Sequence, residues 1–103
     1  MDDLVEKWRL AAADWLDLQE AADLLRETKN DVFAEITAGS EGASNAEKER
    51  NARLSQEWKT YRDKMLRAEA DARRAKFRVT YADKQFDAAR TAAANARSER
   101  GKY

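Results

Sequence analysis

The chain reads as an all-α protein: an antiparallel two-helix coiled-coil hairpin with a longer second helix, assembling with a second copy into a dimeric helical bundle. Three observations carry that reading. Pro is absent and the three Gly stand at Gly39, Gly42 and Gly101, so the 103 residues are punctuated at one interior place and once near the end. Apolar residues recur at alternating steps of four and three on both flanks of the interior break. The break ends in Ser44-Asn45-Ala46-Glu47, a capping box that opens a second helix.

Helix 1 is expected over residues 3–38. Asp2 or Asp3 can cap it, with Glu6 completing Asp3-x-x-Glu6. Its stripe runs through Leu4, Trp8, Ala11, Trp15, Leu18, Ala22, Leu25, Lys29, Val32 and Ile36, in which only Lys29 is polar. The turn, residues 39–44, starts at Gly39, a residue suited to the left-handed conformation that closes a helix. Helix 2 is expected over residues 45–100, with the Ser44 hydroxyl accepting from the Glu47 amide. Its stripe runs without a polar member through Leu54, Trp58, Tyr61, Met65, Ala68, Ala72, Ala75, Val79, Ala82, Phe86, Ala89, Ala93 and Ala96. Arg97, Arg100 and Lys102 flank Gly101, where cations suit the negative end of a helix dipole. A repeat averaging 3.5 residues keeps one stripe facing a partner along a left-handed supercoil, so both stripes are coiled-coil seams within one domain, residues 1–103.

Folding the seams together about the turn pairs Leu25 with Trp58, Ala22 with Tyr61, Leu18 with Met65, Trp15 with Ala68, Ala11 with Ala72 and Trp8 with Ala75. Both Trp8 and Trp15 then meet an Ala, which suits close packing. The hairpin seam is therefore carried by Trp8, Trp15, Leu18, Leu25, Trp58, Tyr61 and Met65. Leu4 falls near Val79, so Ala82, Phe86, Ala89, Ala93 and Ala96 are left without a partner in the chain. An overhang of roughly 20 residues, about 30 Å long, would hold an apolar stripe in water. A homodimer that buries this stripe is the expected answer.

Charge is segregated beneath a neutral total. Residues 1–38 hold ten acidic and four basic side chains, net −6, and residues 39–103 hold ten acidic and sixteen basic, net +6. Between the two helices that segregation favours closure of the hairpin over pairing of like helices. From Lys59 to Arg78 the basic residues outnumber the acidic by eight to three. Away from the seam, Leu66, Arg67, Arg74, Phe77 and Tyr81 form a candidate surface for a larger protein partner. The same Arg residues interleaved with aromatics suit single-stranded nucleic acid as an alternative.

Chemistry is poorly provided for. Without His or Cys the usual general base, zinc-thiolate sites and disulfides are missing, and Ser40, Ser44, Ser55 and Ser98 have no activating base. The pairs Asp14 with Asp17, Glu20 with Asp23 and Asp31 with Glu35 read as a solvated face, and the Gly39 to Gly42 segment lacks a phosphate-binding signature. A non-enzymatic protein with no cofactor and no metal is expected. The acidic start, Met1-Asp2-Asp3-Leu4, and the lack of an apolar run near 20 residues point to a cytoplasmic protein without a membrane span.

The turn and the opening of the second helix, Ala38-Gly39-Ser40-Glu41-Gly42-Ala43-Ser44-Asn45-Ala46-Glu47-Lys48-Glu49-Arg50-Asn51-Ala52, resemble a segment of small phage and prophage helical-hairpin proteins of unestablished role. These are often encoded near recombination and replication genes. The ending here, Ala96-Arg97-Ser98-Glu99-Arg100-Gly101, differs from theirs. The resemblance implies a phage or prophage accessory factor acting in host cytoplasm, with a nucleic-acid-associated role in recombination or replication as the alternative.

Overall fold

The structure, a computed structural model, describes residues 2–101, and these are all-helical: α1 spans Asp2–Ala38, α2 Asn45–Leu54 and α3 Gln56–Gly101. Among the described residues there is no strand, and no helix is long and apolar enough to cross a membrane. The side chain of Asp2, and Lys102, lie outside the described residues. α1 already includes Asp2, so Asp3 stands inside the first turn instead of capping it. Glu6 does not reach back as a capping box requires. It accepts two hydrogen bonds from the Arg9 guanidinium, at 2.5 and 3.1 Å.

The end of α1 differs from expectation in one detail. Gly39 is not left-handed; among the described residues only Gly42 has a positive φ, at 156°. α1 closes instead through its own last turn, with the Gly39 amide donating to the Glu35 carbonyl and the Ser40 hydroxyl to that of Ile36. Gly42 is where side-chain-free backbone is needed. A Cβ there would lie 2.8 Å from the Lys48 amide nitrogen and 3.0 Å from the Glu47 Cβ, because the turn closes onto the first turn of α2. The Asn51 side-chain amide holds it there by donating to the Glu41 carbonyl at 2.6 Å.

Ser44 caps α2 as its sequence predicts, its hydroxyl accepting from the Glu47 amide at 3.3 Å. The Glu47 carboxylate reaches back one residue further than in the usual box, to the Ala43 amide. The expected single helix over residues 45–100 is not continuous. Ser55 has extended backbone, φ −70° and ψ 150°, and separates α2 from α3. Its amide and hydroxyl both donate to the Ala52 carbonyl at the end of α2, while the same hydroxyl accepts from the Trp58 amide at the start of α3. One serine thus supplies both caps, which is the physical reason the chain can break there without leaving helix ends unpaired.

The chain forms two compact units, Leu18–Asp71 and Met1–Asp17 with Ala72–Tyr103. In Leu18–Asp71 the buried side chains are Ala22, Ala52, Trp58 and Met65. The Phe33 ring meets Trp58 edge-on at 4.9 Å, Trp58 stacks on Tyr61 at 5.8 Å, and the Arg53 guanidinium lies 5.5 Å over Phe33. Burying an aromatic ring of this size contributes roughly 1.5–3 kcal/mol, so the cluster is the main apolar anchor of its unit. The Tyr61 hydroxyl hydrogen-bonds the Leu25 carbonyl and the Thr28 hydroxyl, and Arg26 pairs with Glu69. In the other unit the buried apolar side chains are all alanine: Ala72, Ala75 and Ala82.

These contacts correct the expected pairing. Trp58 meets Phe33 where Leu25 was expected, Tyr61 bonds Leu25 and Thr28 where Ala22 was expected, and Lys76 lies over Trp15 where Ala68 was expected. The displacement is about two helical turns, close to one heptad, for Trp58 and Trp15, and about one to two turns for Tyr61. A displacement of one heptad leaves the same stripe facing inward, so both registers satisfy the pattern. The break at Ser55 chooses between them. With α2 folded as a separate helix, its buried Ala52 and the Arg53 over Phe33 occupy the last turns of α1, and α3 meets α1 further from the turn.

Candidate interaction surfaces

Of the expected seam residues, Trp58 and Met65 are buried and Leu18, Leu25 and Tyr61 are half-buried in Leu18–Asp71. Trp15 is half-buried in its own unit, with the Lys76 ammonium 5.9 Å from its ring centre and its indole nitrogen enclosed without a hydrogen-bond partner. Trp8 is the exception, at 41% exposed. Burial of Ala72 and Ala75 does not extend to covering that ring. Phe33 escapes the pattern because it sits beside Val32, off the alternating stripe. Its only advance signal is that Val32-Phe33 widens the apolar face where Lys29 interrupts it.

The stripe expected to lack a partner starts later than the sequence suggests. Ala82 is only 7% exposed, covered inside its own unit, so it is not a residue left open for self-association. The displacement by about one heptad accounts for this, because it carries the cover one repeat further along α3. Phe86, Ala89, Ala93 and Ala96 are half-buried, and every other described residue beyond Phe86 is exposed. The Arg90 guanidinium lies 5.8 Å from the Phe86 ring centre, a cation above an aromatic on the same helix.

The outer positions fall into the two units. Leu66 and Arg67 are exposed in Leu18–Asp71, Leu66 at 48%. In the other unit Arg74 is exposed, and Phe77 and Tyr81 are its most exposed large hydrophobics among the described residues, at 76% and 66%. One turn apart on α3, they share a face. Phe77 lines an open groove with Arg73, Lys76 and Thr80, which has no acidic wall. A second groove, of about 440 Å³, lies in Leu18–Asp71 between Lys29 of α1, Arg53 of α2 and Arg62, Trp58, Met65 and Leu66 of α3. Sequence spacing does not reveal it, because its three cations come from three helices and only the break at Ser55 gathers them.

Electrostatics elsewhere are those of a hydrated surface. Arg26 with Glu69 and Arg78 with Asp14 join α1 to α3, each within a single unit, and both Arg side chains are mostly exposed. Such pairs contribute a few tenths of a kcal/mol to about 1 kcal/mol and choose partners more than they stabilise. The Glu6 carboxyl is held below its ordinary range by the hydrogen bond from Arg9, which is itself raised. The described residues contain no group of three or more acidic side chains placed to hold a metal ion. No family model, curated protein or solved structure matches the chain.

Proposed function

We propose that the chain is a non-enzymatic helical hairpin that self-associates through the C-terminal part of α3 and serves as an interaction or accessory protein. The observation that supports this is the pattern of Phe86, Ala89, Ala93 and Ala96: a half-buried stripe at steps of three and four in a stretch whose other residues are exposed. Small side chains let two helices approach closely, and Phe86 can pack across the crossing. The likeness of residues 38–52 to phage and prophage hairpin proteins supports an accessory role of that kind, in host cytoplasm. The exposed Leu66 in one unit, and Phe77 with Tyr81 in the other, are the surfaces offered to a larger protein. Light scattering across tens of micromolar tests the assembly. The expected result at about 0.5 M salt is a dimer that Ala89→Glu converts to a monomer; a wild-type monomer throughout overturns the reading.

A second reading is favoured by the open groove at Phe77, in which an exposed ring stands beside Arg73 and Lys76. Cations for phosphates and a free aromatic face for a base are what single-stranded nucleic acid requires. Binding of a single-stranded oligonucleotide that falls steeply with salt and is lost on charge reversal at Arg73 and Lys76 supports it. No binding at low salt removes it.

A further inference from the structure

The groove between Lys29, Arg53 and Arg62 is the most specific feature that the hairpin reading leaves unused. Three cations from α1, α2 and α3 converge on it, no carboxylate lines it, and none of the three takes part in the inter-helix ion pairs Arg26 with Glu69 and Arg78 with Asp14. Trp58 and Met65 in its lining are buried, so they offer little open apolar surface or free ring face to a ligand. Its apolar contribution is the half-exposed Leu66 at the rim. That combination suits an acidic helix carrying one apolar knob between its carboxylates.

Such a helix exists on the opposite charge balance of the same unit. On α1, Glu20, Leu24, Glu27 and Asp31 succeed one another at steps of four, three and four, so they share one face. All four are exposed, with Leu24 at 61%, and the three acids have no part in those two inter-helix ion pairs. We infer that two copies of the chain dock by seating the Glu20/Leu24/Glu27/Asp31 face of one in the Lys29/Arg53/Arg62 groove of the other. Leu24 meets Leu66 at the centre, and Arg53 and Arg62, whose planar forks suit carboxylates, meet the acids at the edges. This contact is separate from the α3 stripe and depends on charge where the stripe depends on apolar packing.

The test is sedimentation equilibrium of the whole chain at low salt and at about 0.5 M salt, where screening acts within about 4 Å. Wild type is expected to lose association at high salt beyond what the α3 stripe retains. Arg62→Glu alone, which leaves the Arg53 contact with Phe33 intact, and Glu20→Lys/Glu27→Lys should each weaken low-salt association by about tenfold or more. Circular dichroism confirms that each variant is folded. An equimolar mixture of the two variants should regain association that neither shows alone. Association indifferent to both reversals and to salt, or a mixture no stronger than its parts, overturns the inference. Ala89→Glu separates this contact from the α3 assembly, because it should abolish the salt-resistant part and leave the salt-sensitive part in place.

Discussion

The Trp58 ring packs against Phe33 with centroids 4.9 Å apart and planes at 60°, an edge-to-face contact between α3 and α1. That pair marks the register of the two helices in its unit, because a displacement by about two helical turns would bring Leu25 to Trp58 and leave Phe33 without this partner. Truncating Trp58 to Ala is expected to cost about 3–5 kcal/mol, since the ring is buried. The sharper test is a double-mutant cycle. Phe33 and Trp58 should couple by about 0.5–1.5 kcal/mol in urea unfolding, whereas a coupling near zero would place Trp58 elsewhere.

Tyr61 gives a second measure of the same register. Its hydroxyl donates to the Leu25 carbonyl and accepts from the Thr28 hydroxyl at 2.9 Å. Tyr61→Phe keeps the ring and its stacking on Trp58 but removes the hydroxyl. The expected loss is about 1 kcal/mol of unfolding free energy. In the Thr28→Val background the same change should cost less, and an equal cost in both backgrounds would show that the two hydroxyls do not interact.

The turn separates two glycines that look alike in sequence. At Gly42 the backbone has a positive φ and a Cβ would stand 2.8 Å from the Lys48 nitrogen, so Gly42→Ala should destabilise by about 1–3 kcal/mol. At Gly39 a Cβ would find the Glu35 and Ile36 carbonyl oxygens at 3.8 Å, which is ordinary contact, and φ is not positive. Gly39→Ala should therefore stabilise by about 0.4–1 kcal/mol through the unfolded chain. Thermal melts of the two variants moving in the same direction would contradict this assignment.

Both the helical character and the inward stripe were legible, because an alternation of four and three along each helix names the buried face without reference to any partner. Trp58 and Met65 are buried as that stripe requires. The register was not legible, since moving one helix past the other by a heptad presents the same stripe, and only the break at Ser55 distinguishes the alternatives. Its signal was present but faint: a Ser with Glu57 close behind it in the first turn of α3. Ser55 is read easily as one more polar position on a long helix. Phe77 and Tyr81 could be placed on the outside because they miss the stripe, whereas the Lys29, Arg53 and Arg62 groove could not, because sequence spacing says nothing of three helices meeting. Ser55→Ala tests what makes the break. Removing the hydroxyl takes away the cap of α3 and one of the two closing bonds of α2, so a loss of about 0.5–2 kcal/mol is expected. A neutral effect would mean that the break is imposed by packing around Ala52 and Trp58 and not by the serine.

At the start of α1, Glu6 and Arg9 form a local pair whose consequence is a titration and not a large stability term. The Arg9 guanidinium hydrogen-bonds the Glu6 carboxylate at 2.5 and 3.1 Å and lowers its pKa, with the two charges one turn apart and in water. A carboxyl lowered in the folded state stabilises the fold above its unfolded-state value and loses that contribution as pH falls through the lower folded-state value. The first turn of α1 should therefore loosen in acid, and the effect should shrink with added salt because both side chains are exposed. Carbon-detected NMR titration of the Glu6 carboxyl should show a midpoint below the ordinary glutamate range, returning to that range in Arg9→Gln. If Arg9→Gln leaves the Glu6 midpoint where it was, the pair is not what lowers it, and the negative charge near the positive end of the α1 dipole becomes the cause to test next.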